Sequence, residues 1–161
     1  LGRTAGPMQP ERVTERLTGQ GAAEAETFTR EGARAVFGDI LDDEGRKVEA
    51  AIRAAGGDAT YVHLDVTREA DWENAVRTAV DRCGRLDILI NNAAIVIPRV
   101  PIEERTEAEW DRVMAVNAKG VFLCSRVVIP VMLRGGGGHP EHGLDRCPRG
   151  GRPACGGFLE R

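Results

Sequence analysis

Lysine is nearly absent from this chain of 161 residues, which holds Lys47 and Lys119 and no other, and aromatic side chains make up only 4%. Basic charge comes from arginine instead, a bias that fits a GC-rich coding sequence better than a binding function. The 22 basic and 25 acidic residues leave a net charge of -3. A nucleic-acid or anionic-membrane binder would normally carry a concentrated basic excess, and unpaired bases would stack on interleaved aromatics. Neither feature is present, so no nucleic-acid and no membrane partner is expected. No uninterrupted apolar run approaches the ~18 residues of a spanning helix, and no signal-peptide pattern opens the chain. Cysteines 83, 124, 147 and 155 are scattered rather than spaced as a disulfide framework, which points to a reducing, cytoplasmic setting. The length accommodates about one domain.

Three zones follow from composition. Residues 1–11 are rich in Gly and Pro without periodicity and read as an irregular lead-in. Residues 12–134 alternate short apolar runs with longer amphipathic ones. Gln9–Val13, with one apolar residue, is a poor first strand, whereas Ala33–Phe37, Thr60–Leu64 and Leu86–Ile90 have the composition of buried parallel strands. Gly21–Glu31, Asp43–Ala55, Glu69–Cys83 and Glu107–Leu133 show helical spacing. In the third of these, Ala70, Val76, Ala79, Val80 and Cys83 share an expected core face, with Glu73, Arg77 and Asp81 turned to water. Along the last, the apolar positions are Trp110, Val113, Met114, Val116, Val121, Phe122, Val127 and Val128, and Pro130 is expected to kink or end it. Gly32, Gly56-Gly57 and Gly84 stand where helix stops are expected. The pattern predicts an α/β fold: a partial, doubly wound parallel sheet of about four strands in Rossmann-like order 3-2-1-4, with helices on both faces. Residues 135–161 hold 9 Gly and 3 Pro and read as an irregular Gly/Arg-rich tail.

The residues that carry chemistry fall at the carboxyl ends of the predicted strands, where open α/β sheets bind ligands. A Gly-containing turn, Val13 to Gly21, precedes the first helix and would let backbone N–H groups approach a pyrophosphate. About twenty residues on, Asp39 ends the next strand. An acid there accepts hydrogen bonds from an adenosine ribose and repels a 2′-phosphate, which favours NAD over NADP. Leu64-Asp65-Val66-Thr67 and Ile90-Asn91-Asn92-Ala93-Ala94 end the following two strands.

From Val13 to Leu133 these residues resemble the short-chain dehydrogenases/reductases. Asn91-Asn92-Ala93-Ala94 is similar to that family's Asn-Asn-Ala-Gly signature, and Val116-Asn117-Ala118-Lys119-Gly120 to its helix-borne Asn motif. Tyr61-Val62-His63-Leu64-Asp65-Val66-Thr67, with Asp71-Trp72, is similar to bacterial hydroxysteroid-type members. The resemblance implies that Gly19 and Gly21 line the cofactor loop with support from Thr14, and that Asp39 selects NAD. It implies that Asp65 and Val66 hold the adenine, that Asn91 and Ala93 border the cofactor ribose, and that Asn92 braces the sheet. Asn117 would join the catalytic group by anchoring a water; a helix-interior Asn in a kink is the plainer reading. The substrate class would be a small-molecule alcohol or ketone, and the Glu107–Leu133 helix would pack against a second copy of the chain.

The sequence departs from that pattern. Glu15 stands where the first loop glycine is expected if Thr14 aligns, and Ala94 replaces the last signature glycine. The general acid–base of such enzymes is a Tyr with a Lys four residues on, but the only tyrosine is Tyr61 and residue 65 is Asp. No Ser motif follows Leu133. The chain is therefore expected to be truncated and catalytically impaired, an NAD-dependent oxidoreductase by descent; the alternative is a non-catalytic nucleotide-binding or interaction module. In the tail, His139, His142, Cys147 and Cys155 match no standard zinc spacing, so no metal site is expected. Back-translated and read one base later, the codons for residues 138–148 are compatible with the family's missing strand and Ser motif, which predicts a frameshift near Gly135–Gly138. Resequencing the DNA there is expected to show a single-base insertion or deletion relative to close relatives; an uninterrupted frame refutes it.

Overall fold

The computed structural model describes residues 19–98, 100–135 and 155–156. Thr14, Glu15, the lead-in and most of the tail, with His139, His142 and Cys147, lie outside the described residues. Helix α1 (Gln20–Arg30) leads into strand β1 (Arg34–Asp39), helix α2 (Asp42–Ala54), strand β2 (Asp58–His63) and helix α3 (Glu69–Cys83). After an extended stretch and a short 3-10 turn come α4 (Glu107–Met114), a π-helical segment (Ala115–Gly120) and α5 (Val121–Arg134). A two-residue strand, β3 (Cys155–Gly156), completes the described elements. The glycine stops act as expected: Gly32, Gly56 and Gly84 end α1, α2 and α3 at φ of +88°, +88° and +77°. At that angle a side chain would be strained.

The sheet is parallel with order β2-β1-β3. β1 and β2 pair from Arg34↔Asp58 to Asp39↔His63, and β3 pairs with β1 at Arg34 and Ala35. Alternation along the strands sends successive side chains to opposite faces. Phe37 and Tyr61 pack with Ala25 of α1 and Ile52 of α2 on one face. Val36 and Val62 pack with Trp72, Ala75 and Val76 of α3 and with Leu123, Cys124 and Val128 of α5 on the other. The fold is thus α/β, with helices on both faces of a parallel sheet.

Two expectations are corrected, and a third, at Pro130, is narrowed because the helix does not end there. Leu86–Ile90 forms no strand. Leu86 and Leu89 pack into the α3/α5 core while Ile90 packs into the α1/α2 core, so the segment spans both faces as a strand would. A strand is defined by its ladder, however, and no described neighbour pairs with this segment. On α3, Ala70 is exposed and the core face is built by Trp72, Ala75, Val76 and Ala79; the indole Nε1 of Trp72 donates to the Val66 carbonyl (3.1 Å), which pulls the buried face round toward the β2–α3 loop. Pro130 lies within α5, which continues to Arg134.

Helix Glu107–Arg134 is also long and apolar enough to cross a membrane, with mean hydropathy 1.5 over its most apolar window. Leu123, Cys124 and Val128 in its middle are buried in the core, and Arg126 pairs with Glu69 of α3. One face of the helix is thus part of the core. Of its predicted apolar positions only Val128 is fully buried; Trp110 is 62% and Phe122 59% exposed, because the helix meets its core on one face and has no described neighbour on the other.

One buried polar group ties the α2 face together. The Tyr61 hydroxyl donates to the Asp39 carbonyl (2.8 Å) and to Asp42 Oδ1 (2.6 Å), and Gly45 faces the ring so closely that a Cβ would lie 2.1 Å from Cε2. Gly45→Ala is therefore expected to destabilise the chain: overpacking costs ~1–3 kcal/mol and better helix propensity returns ~1 kcal/mol, a net loss of up to about 2 kcal/mol measurable by urea unfolding. Burial, and then the Asp42 carboxylate, raise the pKa of Tyr61 well above its ordinary value of 10.0. The neutral phenol stabilises the fold below pH 10, where an unfolded tyrosine would ionise, and this contribution is lost as pH rises further. Phenolate absorbance is expected to appear together with alkaline loss of helix, not before it; a tyrosine that titrates in the folded chain refutes this.

Candidate functional site

The parallel pairing of β1 and β2 delivers two loops to the same end of the sheet. At the end of β1, Asp39 is half-buried and its Oδ1 accepts the Leu41 N–H (3.0 Å), which fixes the carboxylate over the turn into α2. The Leu64 N–H donates to the Asp39 carbonyl (3.1 Å) and carries the ladder one step past β2. Gly38 permits this close approach, since a Cβ there would meet Leu64 Cβ at 2.5 Å.

The β2–α3 loop is pinned from both directions. Asp65 Oδ1 accepts the Thr67 N–H (2.9 Å) and hydroxyl (2.7 Å), while the Asp65 N–H donates to Asp71 Oδ2 (3.0 Å) in the first turn of α3. Val66 is buried, its carbonyl held by Trp72. Gly120, the last residue of the π-helical segment, lies against Val66, and a Cβ there would come within 3.1 Å of Val66 Cβ. Loop and helix therefore meet only because residue 120 lacks a side chain.

Between them runs a shallow cleft lined by Val66, Asn91, Ala93, Val116, Gly120 and Val121. Three of the sequence-predicted residues, Val66, Asn91 and Ala93, are brought together here. Asn92 is half-buried and Ala94 exposed, and neither lines the cleft. Asn117 faces the segment that forms one wall: its Nδ2 donates to the Ile95 carbonyl (3.0 Å) and its Oδ1 accepts the Ile95 N–H (2.9 Å). Both main-chain groups of Ile95 are thus satisfied by one side chain in a π-helical segment, a feature concentrated at functional sites. The other end of the same helix is stabilised by a capping box between Thr106 and Glu109, whose carboxyl is held below its usual range first by the Thr106 N–H.

Gly19 and Gly21 stand at the start of α1, Gly19 as N-cap and Gly21 buried. No side chain caps this terminus and its first turn holds no acidic residue. Among the described residues nothing offsets the positive end of this helix. Neither glycine lines the cleft beside Val66.

Sequence reading missed four contributors. Asp42 accepts hydrogen bonds from Tyr61 and from His63 Nδ1 (2.9 Å), and its pKa is lowered by the Tyr61 hydroxyl and then by His63. Asp71 holds the Asp65 amide, and Gly120 admits the helix to the loop. Of the four (Asp42, His63, Asp71 and Gly120), only Gly120 carries a signal by itself, as a glycine inside an apolar helical run. Asn117→Ala is expected to release both Ile95 main-chain groups to solvent and to cost about 0.5–1.5 kcal/mol. Hydrogen exchange at the Ile95 amide is expected to accelerate while that of β1 amides stays unchanged; equal protection at Ile95 refutes the role.

Residues 13–139 match the family model described as short chain dehydrogenase. The chain is 47% identical over 120 residues to the 3-alpha-(or 20-beta)-hydroxysteroid dehydrogenase of Mycobacterium tuberculosis, covering 74% of this chain and 45% of that protein. It is 42% identical over 126 residues to the 2,5-dichloro-2,5-cyclohexadiene-1,4-diol dehydrogenase LinX of Sphingobium indicum, covering 78% and 50%. Among solved structures, a metagenomic short-chain oxidoreductase in complex with NADP superposes with a TM-score of 0.70 at 33% identity, over 76% of this chain and 56% of that one. The chain spans about half the length of the curated relatives it matches. With its β1/β2 parallel pair, its Asn-Asn-Ala-Ala segment and its Asn-bearing π-helical segment all inside the matched region, the chain belongs to the short chain dehydrogenase family.

Proposed function

We propose that these 161 residues form the adenosine-binding half of an NAD-dependent oxidoreductase that moves hydride between NAD and a small-molecule alcohol or ketone. The observation that carries this reading is the convergence of Asp39, Asp65-Val66 and the Asn91/Ala93 cleft at one end of the sheet. The donor set fits the group. Asp39 keeps one carboxylate oxygen beyond its bond to Leu41, suited to ribose hydroxyls and repulsive to a 2′-phosphate. Buried Val66 and the neighbouring Asp65 offer an apolar wall and main-chain groups to the adenine. The uncapped start of α1, with Gly19 and Gly21 and support from Thr14, is suited to the pyrophosphate. Asn91 and Ala93 would border the cofactor ribose, with Ala94 beside them, Asn92 bracing the segment and Asn117 holding the wall through Ile95. When bound, the nicotinamide supplies the hydride-accepting carbon.

The chain's own proton chemistry is another matter. Tyr61 is buried, both its hydroxyl contacts are main-chain or carboxylate oxygens on α2's side of the sheet, and Asp65 stands where the Lys of a Tyr-x-x-x-Lys pair would be. A phenol held neutral and donating to an anion is a poor general acid–base. On this reading the 161 residues bind dinucleotide without turning it over, a nucleotide-binding module whose reaction needs residues of the family's Ser and Tyr-x-x-x-Lys type. Two relatives are named for a diol and a hydroxysteroid, which supports an alcohol-bearing substrate class. The same reading includes a cytoplasmic setting and a homo-oligomer formed through the exposed face of Glu107–Arg134, where Trp110 and Phe122 stand in solvent.

Titration calorimetry tests it. NAD is expected to bind the chain more tightly than NADP. Asp39→Asn is expected to weaken NAD about tenfold, the scale of a hydrogen bond to a charged group, and to narrow the gap to NADP. No heat with either dinucleotide, or equal affinity for both, overturns the cofactor assignment. Saturable oxidation of secondary alcohols by the pure chain overturns the non-catalytic part.

A further inference from the structure

The first turn of α3 spends its side chains outside its own helix. No side-chain hydrogen bond caps this terminus. Asp71, the third residue of the helix and 16% exposed, instead accepts the Asp65 N–H (3.0 Å). The next residue, Trp72, is fully buried, and its Nε1 donates to the Val66 carbonyl (3.1 Å). Two contacts within the loop complete the set. The Arg68 N–H donates to the Asp65 carbonyl (2.9 Å), closing a four-residue turn, and Asp65 Oδ1 accepts the Thr67 N–H (2.9 Å). The peptide planes that precede Asp65, Val66 and Thr67 are therefore all held. What the fixed turn leaves over is specific. Among the described residues none accepts the Val66 N–H, and none donates to Asp65 Oδ2. One donor and one acceptor on adjacent residues match the amino-bearing edge of adenine, whose ring N1 accepts and whose exocyclic amino group donates. Hypoxanthine carries the reverse pattern, a carbonyl in place of the amino group and a proton on N1.

We propose that Asp71 and Trp72 are positioning residues that set the base selectivity of the adenosine site by fixing the Asp65–Val66 turn. This rests on the nucleotide-binding reading above. Each acts through the main chain of the turn. A main-chain donor discriminates between bases only while its peptide plane is fixed. A turn free to rotate the Asp65–Val66 peptide would present its carbonyl in place of its N–H, and would then accept the N1 proton of hypoxanthine. That plane is tied at its carbonyl by Arg68, and the planes on either side of it are tied by Asp71 and Trp72. The rotation is denied while both side chains hold. Asp71 supplies a charge-assisted bond. Trp72 supplies a bond whose donor is immobilised by the burial of its ring. A site whose donor and acceptor are so held rejects the analogue with the inverted pattern, because one group on each side is left unpaired.

Titration calorimetry on the full chain with ADP-ribose, and with inosine diphosphate ribose as its hypoxanthine counterpart, reads the selectivity directly. Wild type is expected to bind ADP-ribose about tenfold more tightly. Asp71→Ala and Trp72→Phe are each expected to lose about fivefold in ADP-ribose affinity with little change for the inosine ligand, which brings the ratio to about twofold. Asp71→Asn keeps an oxygen for the Asp65 N–H and is expected to hold the ratio near its wild-type value. Trp72→Phe keeps an aromatic ring in the core, and it serves as the second variant should Asp71→Ala not fold. Gly84→Ala strains the far end of α3, where φ is +77°, and is expected to lower the thermal midpoint without moving the ratio. A wild-type ratio retained in both Asp71→Ala and Trp72→Phe overturns the positioning role, as does a ratio that falls equally in Gly84→Ala. Equal binding of the two ligands by wild type overturns it too, and leaves the nucleotide reading standing. Binding of neither ligand overturns the nucleotide reading, and the positioning role with it.

Discussion

Six consecutive rungs of parallel pairing, from Arg34↔Asp58 to Asp39↔His63, are the constraint on which the rest of this chain depends. Parallel strands must each be followed by a crossover, so the loops that leave them emerge at one end of the sheet. The pairing therefore decides that Asp39 and Asp65, 26 positions apart in sequence, face the same solvent. It also decides which side chains share a face. Tyr61 falls beside Phe37, with ring centroids 5.8 Å apart, and its hydroxyl reaches back to the Asp39 carbonyl. A slip of one residue would put Tyr61 among the aliphatic side chains of the α3 face and leave its hydroxyl with no acceptor.

The second organising contact is the approach of the Glu107–Arg134 helix to the β2–α3 loop. Gly120 removes the side chain that would hold them apart, and the π-helical segment offers Asn117 to the main chain of Ile95. These features give the irregular stretch 85–98 two fixed ends, Leu86 in the core and Ile95 on Asn117, without a ladder along its length. The same helix keeps Trp110 and Phe122 in solvent. Its core face and its open face are both apolar, which is why the helix is apolar enough over its length to cross a membrane.

Much of this was legible beforehand because periodicity and glycine placement are local signals. The boundaries of α3 were read without error, those of α1 and α2 to within one residue at each end, and the three positive-φ glycines were identified as stops. What was misread had a non-local cause. Leu86–Ile90 has the composition of a strand, but a strand also needs a hydrogen-bonding neighbour, and that belongs to another part of the chain. Ala70 fits the core face of α3 by spacing, yet the indole of Trp72, with its bond to Val66, rotates burial onto a different stripe. At the site, Asp39, Val66, Asn91, Ala93 and Asn117 were named because motif positions are themselves sequence features; Asp42, His63 and Asp71 were not, since each acts through a partner from a different element.

By sequence alone the chain declared its α/β class, its helix limits, its family and its lack of a Tyr-x-x-x-Lys pair. These depend on residue type and spacing along one segment, which a string of letters records. Tertiary structure alone decided which acid touches which base, which stretch of β-like residues obtains a ladder, and which face of the last helix is covered. Those outcomes depend on distances between segments tens of residues apart. Close packing and hydrogen-bond geometry fix such distances to within an ångström, and local propensity carries no information about them.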